Sequence, residues 1–164
     1  MMFGSVAAMR KVLDTTGGER MLRSFSVVVS VVLLLAQVTT AGAVVRIGDD
    51  RGGQIGPYLS RFASVRNSGE LVMIDGPCLS ACTLIVGAVP PDRICVTKRA
   101  SLGFHAAWNF ATSGQPVFSP EGTRLLWELY PPAVRRWIKR RGGLTPHMIF
   151  LRGSELAHMY RLCR

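Results

Sequence analysis

Apolar residues from residue 44 onward fall into short continuous blocks separated by polar or helical stretches. The strand-like blocks are VVRI (44–47), ELVMID (70–75), RICVT (93–97) and ASLGFH (100–105). Between the first two, residues 57–67 place apolar side chains at helical spacing, with proline suited to a first turn. Short continuous apolar runs favour buried parallel strands. The order of the elements therefore predicts an α/β domain with crossover connections.

Helix signals replace the strand pattern in the C-terminal part of the chain. Residues 119–121 (Ser-Pro-Glu) predict a capped helix start, the proline pair at 131–132 predicts a break, and the glycine pair at 142–143 predicts a stop. Two further capped starts are predicted at 145–146 and at 154–155. The sequence therefore predicts mainly parallel strands followed by a helical C-terminal part.

The first 43 residues have the pattern of a targeting segment. A short basic start at 21–23 precedes an almost unbroken apolar stretch at 24–38, and small residues then lead to Ala43. This order is typical of a secretory signal peptide cleaved after Ala43, and an uncleaved membrane anchor is the alternative. We expect residues 44–164 to form one domain that is exported, periplasmic or secreted, and that meets the membrane only through the N-terminal segment.

Four cysteines in an exported domain favour disulfide bonds. They are Cys78, Cys82, Cys95 and Cys163, and their spacing alone allows three pairings. We favour Cys95 with Cys163, because a C-terminal segment with few core residues benefits most from a tether. Cys78 then pairs with Cys82. Thiol redox chemistry at this second pair is an alternative, although C-x-x-x-C is not the C-x-x-C spacing of redox motifs.

Basic residues outnumber acidic ones, and the formal net charge is +10. Such a balance can favour nucleic acid, anionic lipid or acidic substrates. The densest basic piece, VRRWIKRRGG at 134–143, alternates basic and apolar residues at helical spacing and predicts the solvated face of an amphipathic helix. No aromatic or glycine-rich nucleic-acid motif accompanies it, so we expect no nucleic-acid partner. We likewise expect no metal and no cofactor.

The segment GPCLSAC at 76–82 follows a predicted buried strand and places one hydroxyl among small residues. A serine is a weak nucleophile until a base removes its proton and donors stabilise the oxyanion. Ser80 is the candidate nucleophile, because it lies where the next helix would begin. His105 ends a strand and is the candidate base. The backbone N–H groups of Gly53 and Ala81 are the candidate oxyanion donors.

In this order the residues resemble the Clp-type serine peptidases of the Clp/crotonase superfamily. The shared features are the Gly-Gly turn at 52–53, the small-residue elbow at 76–82, and DRICVTKRASLGFH, which ends in His105, 25 positions after Ser80. More narrowly, the chain is similar to exported bacterial Clp-like proteins whose elbow reads C-x-S-A-C. The resemblance implies a Clp/crotonase-like fold and a hydrolase acting on a peptide or other acyl bond. It implies Ser80 as nucleophile and His105 as general base and then acid, and it is compatible with a homo-oligomer.

The chain departs from this family at the third catalytic residue. Clp-type enzymes orient the histidine with an aspartate, and the matching segment FLRGSELA puts that position near Met148. No aspartate occurs after Asp92. A Ser/His dyad, orientation of His105 by Glu155, Glu128 or a main-chain carbonyl, and loss of activity are all left open. The alternative function is a catalytically inactive Clp-like binding or scaffolding protein of the cell envelope.

Overall fold

The structure, a computed structural model, describes residues 42–164. The predicted signal peptide or membrane anchor lies outside these residues, apart from its last two positions. Within the described part, no helix combines the length and the apolar character needed to cross a membrane.

Nine strands occur in residues 42–164, and they form two main sheets and one hairpin. In chain order they are β1 (Val44–Ile47), β2 (Leu71–Ile74), β3 (Pro77–Leu79), β4 (Ile94–Val96), β5 (Ser101–Phe104), β6 (Trp108–Phe110), β7 (Pro116–Phe118), β8 (Ile149–Arg152) and β9 (Arg161–Leu162). The first sheet has the order β1-β2-β4-β9 with parallel neighbours throughout. The second has the order β3-β5-β8, with β3 parallel and β8 antiparallel to β5.

Five α-helices occur in the same residues. They are α1 (Ile55–Ser68), α2 (Ile85–Ala88), α3 (Pro120–Leu129), α4 (Pro132–Arg140) and α5 (Gly153–Ala157). A 3-10 helix, Ser80–Leu84, leads directly into α2. The predicted cap of α3 is present, because the Ser119 hydroxyl accepts a hydrogen bond from the Gly122 N–H at 3.2 Å. The helix predicted to begin near Ser80 therefore exists as a short 3-10 and α segment.

The α/β class and the mainly parallel first sheet are confirmed. The prediction of a helical C-terminal part is correct for three helices and wrong for two segments that form strands. No helix starts at 145–146, and residues 149–152 instead form β8. The chain ends in β9, which joins the first sheet beside β4. Both strands pair with segments that are far away in sequence. Local patterns such as helix caps therefore could not predict them. The helices α3, α4 and α5 begin at or within two residues of the predicted starts.

Side chains from both sheets and from α1, α3 and α4 share one core. On α4, the buried side chains are Val134, Trp137 and Ile138, while Lys139 and Arg140 are exposed. This helix is therefore amphipathic, and its basic residues lie on the solvated side, as predicted.

The chain crosses from the first sheet to the second after β2 and again after β4, and Asp75 ties the two crossings together. Its carboxylate accepts hydrogen bonds from the Thr97 hydroxyl at 2.7 Å and from the Arg99 guanidinium at 2.6 Å, and it pairs with Arg46. These donors, Arg99 first, hold the pKa of Asp75 well below its usual range. A Cβ on Gly76 would overlap the carbonyl of the loop after β1. The direction in which β3 leaves the crossing is therefore fixed.

Both favoured disulfides are present, Cys95–Cys163 and Cys78–Cys82. The first closes a separation of 68 residues, which by loop entropy stabilises the fold by about 4 kcal/mol. It fastens the C-terminus to β4, where the Cys163 N–H also donates to the Val96 carbonyl at 3.0 Å. Two disulfides of this kind are typical of proteins from an oxidising compartment.

Candidate active site

Ser80 occupies an unusual backbone conformation at the end of β3. Its φ is 55°, and no other non-glycine residue among 42–164 has a positive φ. For an L-residue the left-handed region costs about 1 kcal/mol, so the surroundings must hold Ser80 in place. A sharp turn of this kind between a strand and a helix is typical of a nucleophile elbow.

Hydrogen bonds and a disulfide hold this elbow. The Cys78–Cys82 bond spans Ser80 in the chain. The Thr83 hydroxyl donates to the Ser80 carbonyl at 2.6 Å and is 2.7 Å from the Tyr130 hydroxyl, which must therefore be the donor to Thr83. Burial raises the pKa of Tyr130 to about 12, so this phenol keeps its proton. No sequence pattern pointed to Thr83 or Tyr130 as supports of the elbow.

The loop with the Gly-Gly pair packs directly on the elbow. Gly52 has a φ of 80°, and a Cβ there would lie 2.7 Å from the Ser80 Cβ and 2.9 Å from the Ala81 nitrogen. Asp50 fixes the loop, because its carboxylate accepts from the Gly52 N–H at 2.9 Å and from the Tyr58 hydroxyl. Main-chain hydrogen bonds of 2.8 Å also join Asp50 to β3. Asp50 therefore joins the Gly-Gly loop to β3, and no sequence pattern pointed to it.

The four residues proposed from sequence line one cavity of about 570 Å³. They are Ser80, His105, Gly53 and Ala81. Ser80 is half-buried, and the Ala81 side chain is buried. Within residues 42–164, neither the Gly53 N–H nor the Ala81 N–H donates a hydrogen bond to another protein group. Two residues that line the cavity therefore carry N–H groups that the described part of the chain does not engage.

A main-chain carbonyl orients His105. The His105 Nδ1 lies 2.6 Å from the Ala106 carbonyl oxygen. Because a carbonyl only accepts, Nδ1 carries the proton, and in the neutral ring Nε2 keeps its lone pair. The Ala106 N–H donates to the Thr145 carbonyl at 2.8 Å, which holds this peptide in place. His105 therefore has the tautomer that a general base needs.

The carboxylates considered for orienting His105 are engaged elsewhere. Glu155 forms two hydrogen bonds of 2.9 Å with Arg141, and Glu128 is exposed, 3.8 Å from Arg124. Met148, at the position where the resemblance places aspartate, lines the cavity without offering an acceptor. Of the alternatives left open by the sequence, the structure contains the main-chain carbonyl.

Ser80 and His105 face the same cavity but are not hydrogen-bonded to each other in the described part of the chain. The Ser80 hydroxyl has no hydrogen-bond partner among residues 42–164, whereas its carbonyl is held by Thr83. The candidate nucleophile and the candidate base therefore line one cavity without a hydrogen bond between their side chains.

A hairpin of exposed aromatic residues forms one wall of the cavity. Trp108 and Phe110 of β6 line it, with ring centroids 4.8 Å apart in an edge-to-face contact. β6 pairs antiparallel with β7, and Trp108 lies opposite Phe118. No strand was predicted from the sequence for residues 108–118. The sequence features that could have predicted the hairpin are the alternation Trp-Asn-Phe and the Ser-Gly turn at 113–114.

No protein-family model matches this chain, and a search of curated proteins finds no significantly similar sequence. The functional assignment therefore depends on the geometry of Ser80, His105 and the loops around them.

Proposed function

We propose that this chain is an exported, Clp-like serine hydrolase that cleaves a peptide or other acyl bond with Ser80 and His105. One observation carries the proposal: a serine held at positive φ lines the same cavity as a histidine whose Nδ1 proton is fixed by a carbonyl. The parallel first sheet and the elbow at the start of a helix support a Clp/crotonase-like fold.

The proposed reaction uses groups that line the cavity. The Ser80 oxygen attacks the carbonyl carbon while the His105 Nε2 takes the hydroxyl proton. The negative charge that develops on the carbonyl oxygen is stabilised by the N–H groups of Gly53 and Ala81. His105 then gives its proton to the leaving group, and an acyl-serine remains. A water, deprotonated by His105, hydrolyses this ester and restores Ser80.

The Ala106 carbonyl replaces the usual carboxylate in this scheme. A neutral acceptor fixes the tautomer of His105 but stabilises the developing imidazolium less than a carboxylate does. We therefore expect slow turnover. The missing hydrogen bond between Ser80 and His105 is compatible with the scheme, because catalytic hydrogen bonds in unliganded sites are often long and tighten with substrate.

Fluorophosphonate labelling, read by intact mass, tests the proposal. The expected result is one adduct on the native protein, mapped to Ser80 and abolished in Ser80→Ala. The matched control, Ser64→Ala, removes an equally simple hydroxyl from the exposed side of α1 and should leave labelling unchanged. His105→Gln should slow labelling by roughly 100-fold or more, because the base is lost. Labelling that persists in Ser80→Ala would refute Ser80 as nucleophile.

A binding or scaffolding role without turnover is the second candidate, and Met148 favours it, because this residue supplies no acceptor at the aspartate position. Met148→Asp separates the two candidates. In a hydrolase, a carboxylate at this position should speed labelling by roughly tenfold or more, since it stabilises the imidazolium. In a protein without turnover, neither the native chain nor this variant should react, although both remain folded.

A further inference from the structure

A second cavity adjoins the proposed catalytic one and shares Arg51 with it. Its volume is about 370 Å³. Its lining residues are Arg51, Pro77, Leu79, Ser101, Phe150 and Arg152. Leu79 immediately precedes Ser80, so the two cavities meet at the elbow.

Strand register shows that the second cavity is one face of the second sheet. Pro77, Ser101 and Arg152 form one cross-strand row of partners. Two positions further along β5, Gly103 lies between Leu79 and Phe150 in a second row on the same face. Another two positions lead to His105. Four residues of extended chain span about 13 Å, which sets the distance scale between the Arg152 row and the base.

Gly103 lies on this face of the sheet between the two cavities, and its missing side chain leaves room for its neighbours. A Cβ at Gly103 would lie 2.6 Å from the Met148 sulfur and 2.7 Å from the Leu79 Cδ2. Because glycine has no side chain, Leu79 and Met148 settle onto the sheet instead of standing above it. The side chains of Leu79 and Met148 therefore cover Gly103 and give an apolar surface between the Arg152 row and the Ser80 cavity.

Two arginines line the second cavity, and the fold does not neutralise their positive charges well. The Arg51 side chain has one acidic neighbour, Asp49, at 3.5 Å, and both side chains are largely exposed. Arg152 forms no ion pair within residues 42–164. Exposed pairs such as Arg51 with Asp49 contribute little, so a ligand carboxylate can compete for Arg51. Two guanidinium groups over an apolar floor suit a planar carboxylate.

The geometry points to a carboxylate-binding subsite formed by Arg51 and Arg152. This inference rests on the proposed function for its substrate: an extended peptide with a carboxylate about four residues from the bond that Ser80 attacks. The carboxylate comes from an acidic side chain or from the peptide C-terminus. Phe150, which is 43% exposed, would pack against the aliphatic part of the residue that carries it.

Binding to the Ser80→Ala protein tests the subsite separately from catalysis. The probes are dye-labelled hexapeptides of alanine and leucine, amidated, with glutamate or glutamine at each position in turn. A further hexapeptide, with neutral side chains and a free C-terminal carboxylate, distinguishes a terminal carboxylate from an acidic side chain. We expect one glutamate position, or the free C-terminus, to bind roughly tenfold more tightly than its neutral counterpart. Added salt should reduce this preference.

Arg152→Gln should abolish the preference, whereas Arg136→Gln, which removes the same charge from the exposed side of α4, should preserve it. Equal binding of glutamate and glutamine peptides would overturn the subsite, as would an equal loss in both arginine variants. Failure of the native protein to react with fluorophosphonate, with an Arg152-dependent preference intact, would remove the hydrolase but keep the subsite. Labelling at Ser80 without any carboxylate preference would keep the hydrolase and remove the subsite.

Discussion

The elbow and the aromatic hairpin border the same cavity, but the fold holds them in opposite ways. At the elbow, Cys78 and Cys82 are fully buried and joined, and Thr83 is buried beneath Ser80. In the hairpin, Phe110 is 68% exposed and Trp108 is 47% exposed. The hairpin is uncharged from Trp108 to Phe118 and is held chiefly by its own strand pairing.

This difference suggests that the elbow contributes to the stability of the fold and that the hairpin contributes to ligand binding. The positive φ of Ser80 is unfavourable by itself, so the disulfide, the Thr83 hydrogen bond and the packed Gly52 loop must all act against relaxation. The aromatic side chains of the hairpin instead keep apolar surface in water, which folding does not use. Changes at the elbow should therefore alter stability and labelling together, and changes to the exposed aromatic side chains of the hairpin should alter ligand binding alone.

Among changes at the elbow and the hairpin, the largest effect is expected from alanine at Gly52, and Gly114 is its matched control because the two glycines have nearly the same backbone angle. Gly52 has a φ of 80° and Gly114, in the hairpin turn, has a φ of 79°. Both substitutions place an L-residue in the left-handed region, at about 1 kcal/mol each. Only at Gly52 would the new Cβ also collide with the elbow, since nothing lies within 4 Å of the corresponding position at Gly114. We expect Gly52→Ala to lower the free energy of unfolding by about 3 kcal/mol.

Urea unfolding of both variants measures this difference, and fluorophosphonate labelling reads the elbow directly. Gly114→Ala should lose only about 1 kcal/mol and label normally. Equal destabilisation of the two variants would mean that backbone strain, and not contact with the elbow, dominates at Gly52.

Removal of the elbow disulfide should have the next largest effect. The bond between Cys78 and Cys82 closes a separation of only four residues, so loop entropy gives it about 2 kcal/mol. We expect the double variant Cys78→Ser/Cys82→Ser to lose this stability, and to label several-fold more slowly because Ser80 can leave its positive φ. Cys95→Ser/Cys163→Ser, the control, should lose about 4 kcal/mol without slowing the labelling of the folded fraction.

Parts of the fold and of the candidate site also differ in how well the sequence predicts them. The buried strands of the first sheet are continuous apolar runs, and the elbow follows one of them with an unusual set of small residues, so both were predicted. β8 was not, because its four residues pair with β5 nearly fifty positions earlier. The hydrogen bond from His105 to the Ala106 carbonyl has no sequence signature at all, since every residue has a carbonyl. Tertiary pairing and main-chain acceptors are thus the parts that local patterns leave out.

A smaller effect is expected at Tyr130, which links the elbow to the strand that carries the base. Its hydroxyl supports Thr83, and its ring packs edge-on against Phe104 with centroids 5.1 Å apart. Tyr130→Phe keeps the ring and removes one buried hydrogen bond, so we expect a loss of about 1 kcal/mol in unfolding free energy. Labelling should slow several-fold, because the Ser80 carbonyl is held less firmly. Unchanged labelling at this loss of stability would confine Tyr130 to a role in packing.

The smallest change in stability is expected in the hairpin. Phe110→Ala removes a ring that is mostly in water, so the free energy of unfolding should change by less than about 0.5 kcal/mol. Because Phe110 lines the cavity, the affinity of the Ser80→Ala protein for the dye-labelled hexapeptides should nevertheless fall by roughly three- to tenfold. Val117→Ala is the matched control, since Val117 is 50% exposed and does not line the cavity. It should change neither quantity. A loss of stability in Phe110→Ala as large as that in Tyr130→Phe would show that the fold depends on the hairpin ring, and the contrast between the two walls of the cavity would fail.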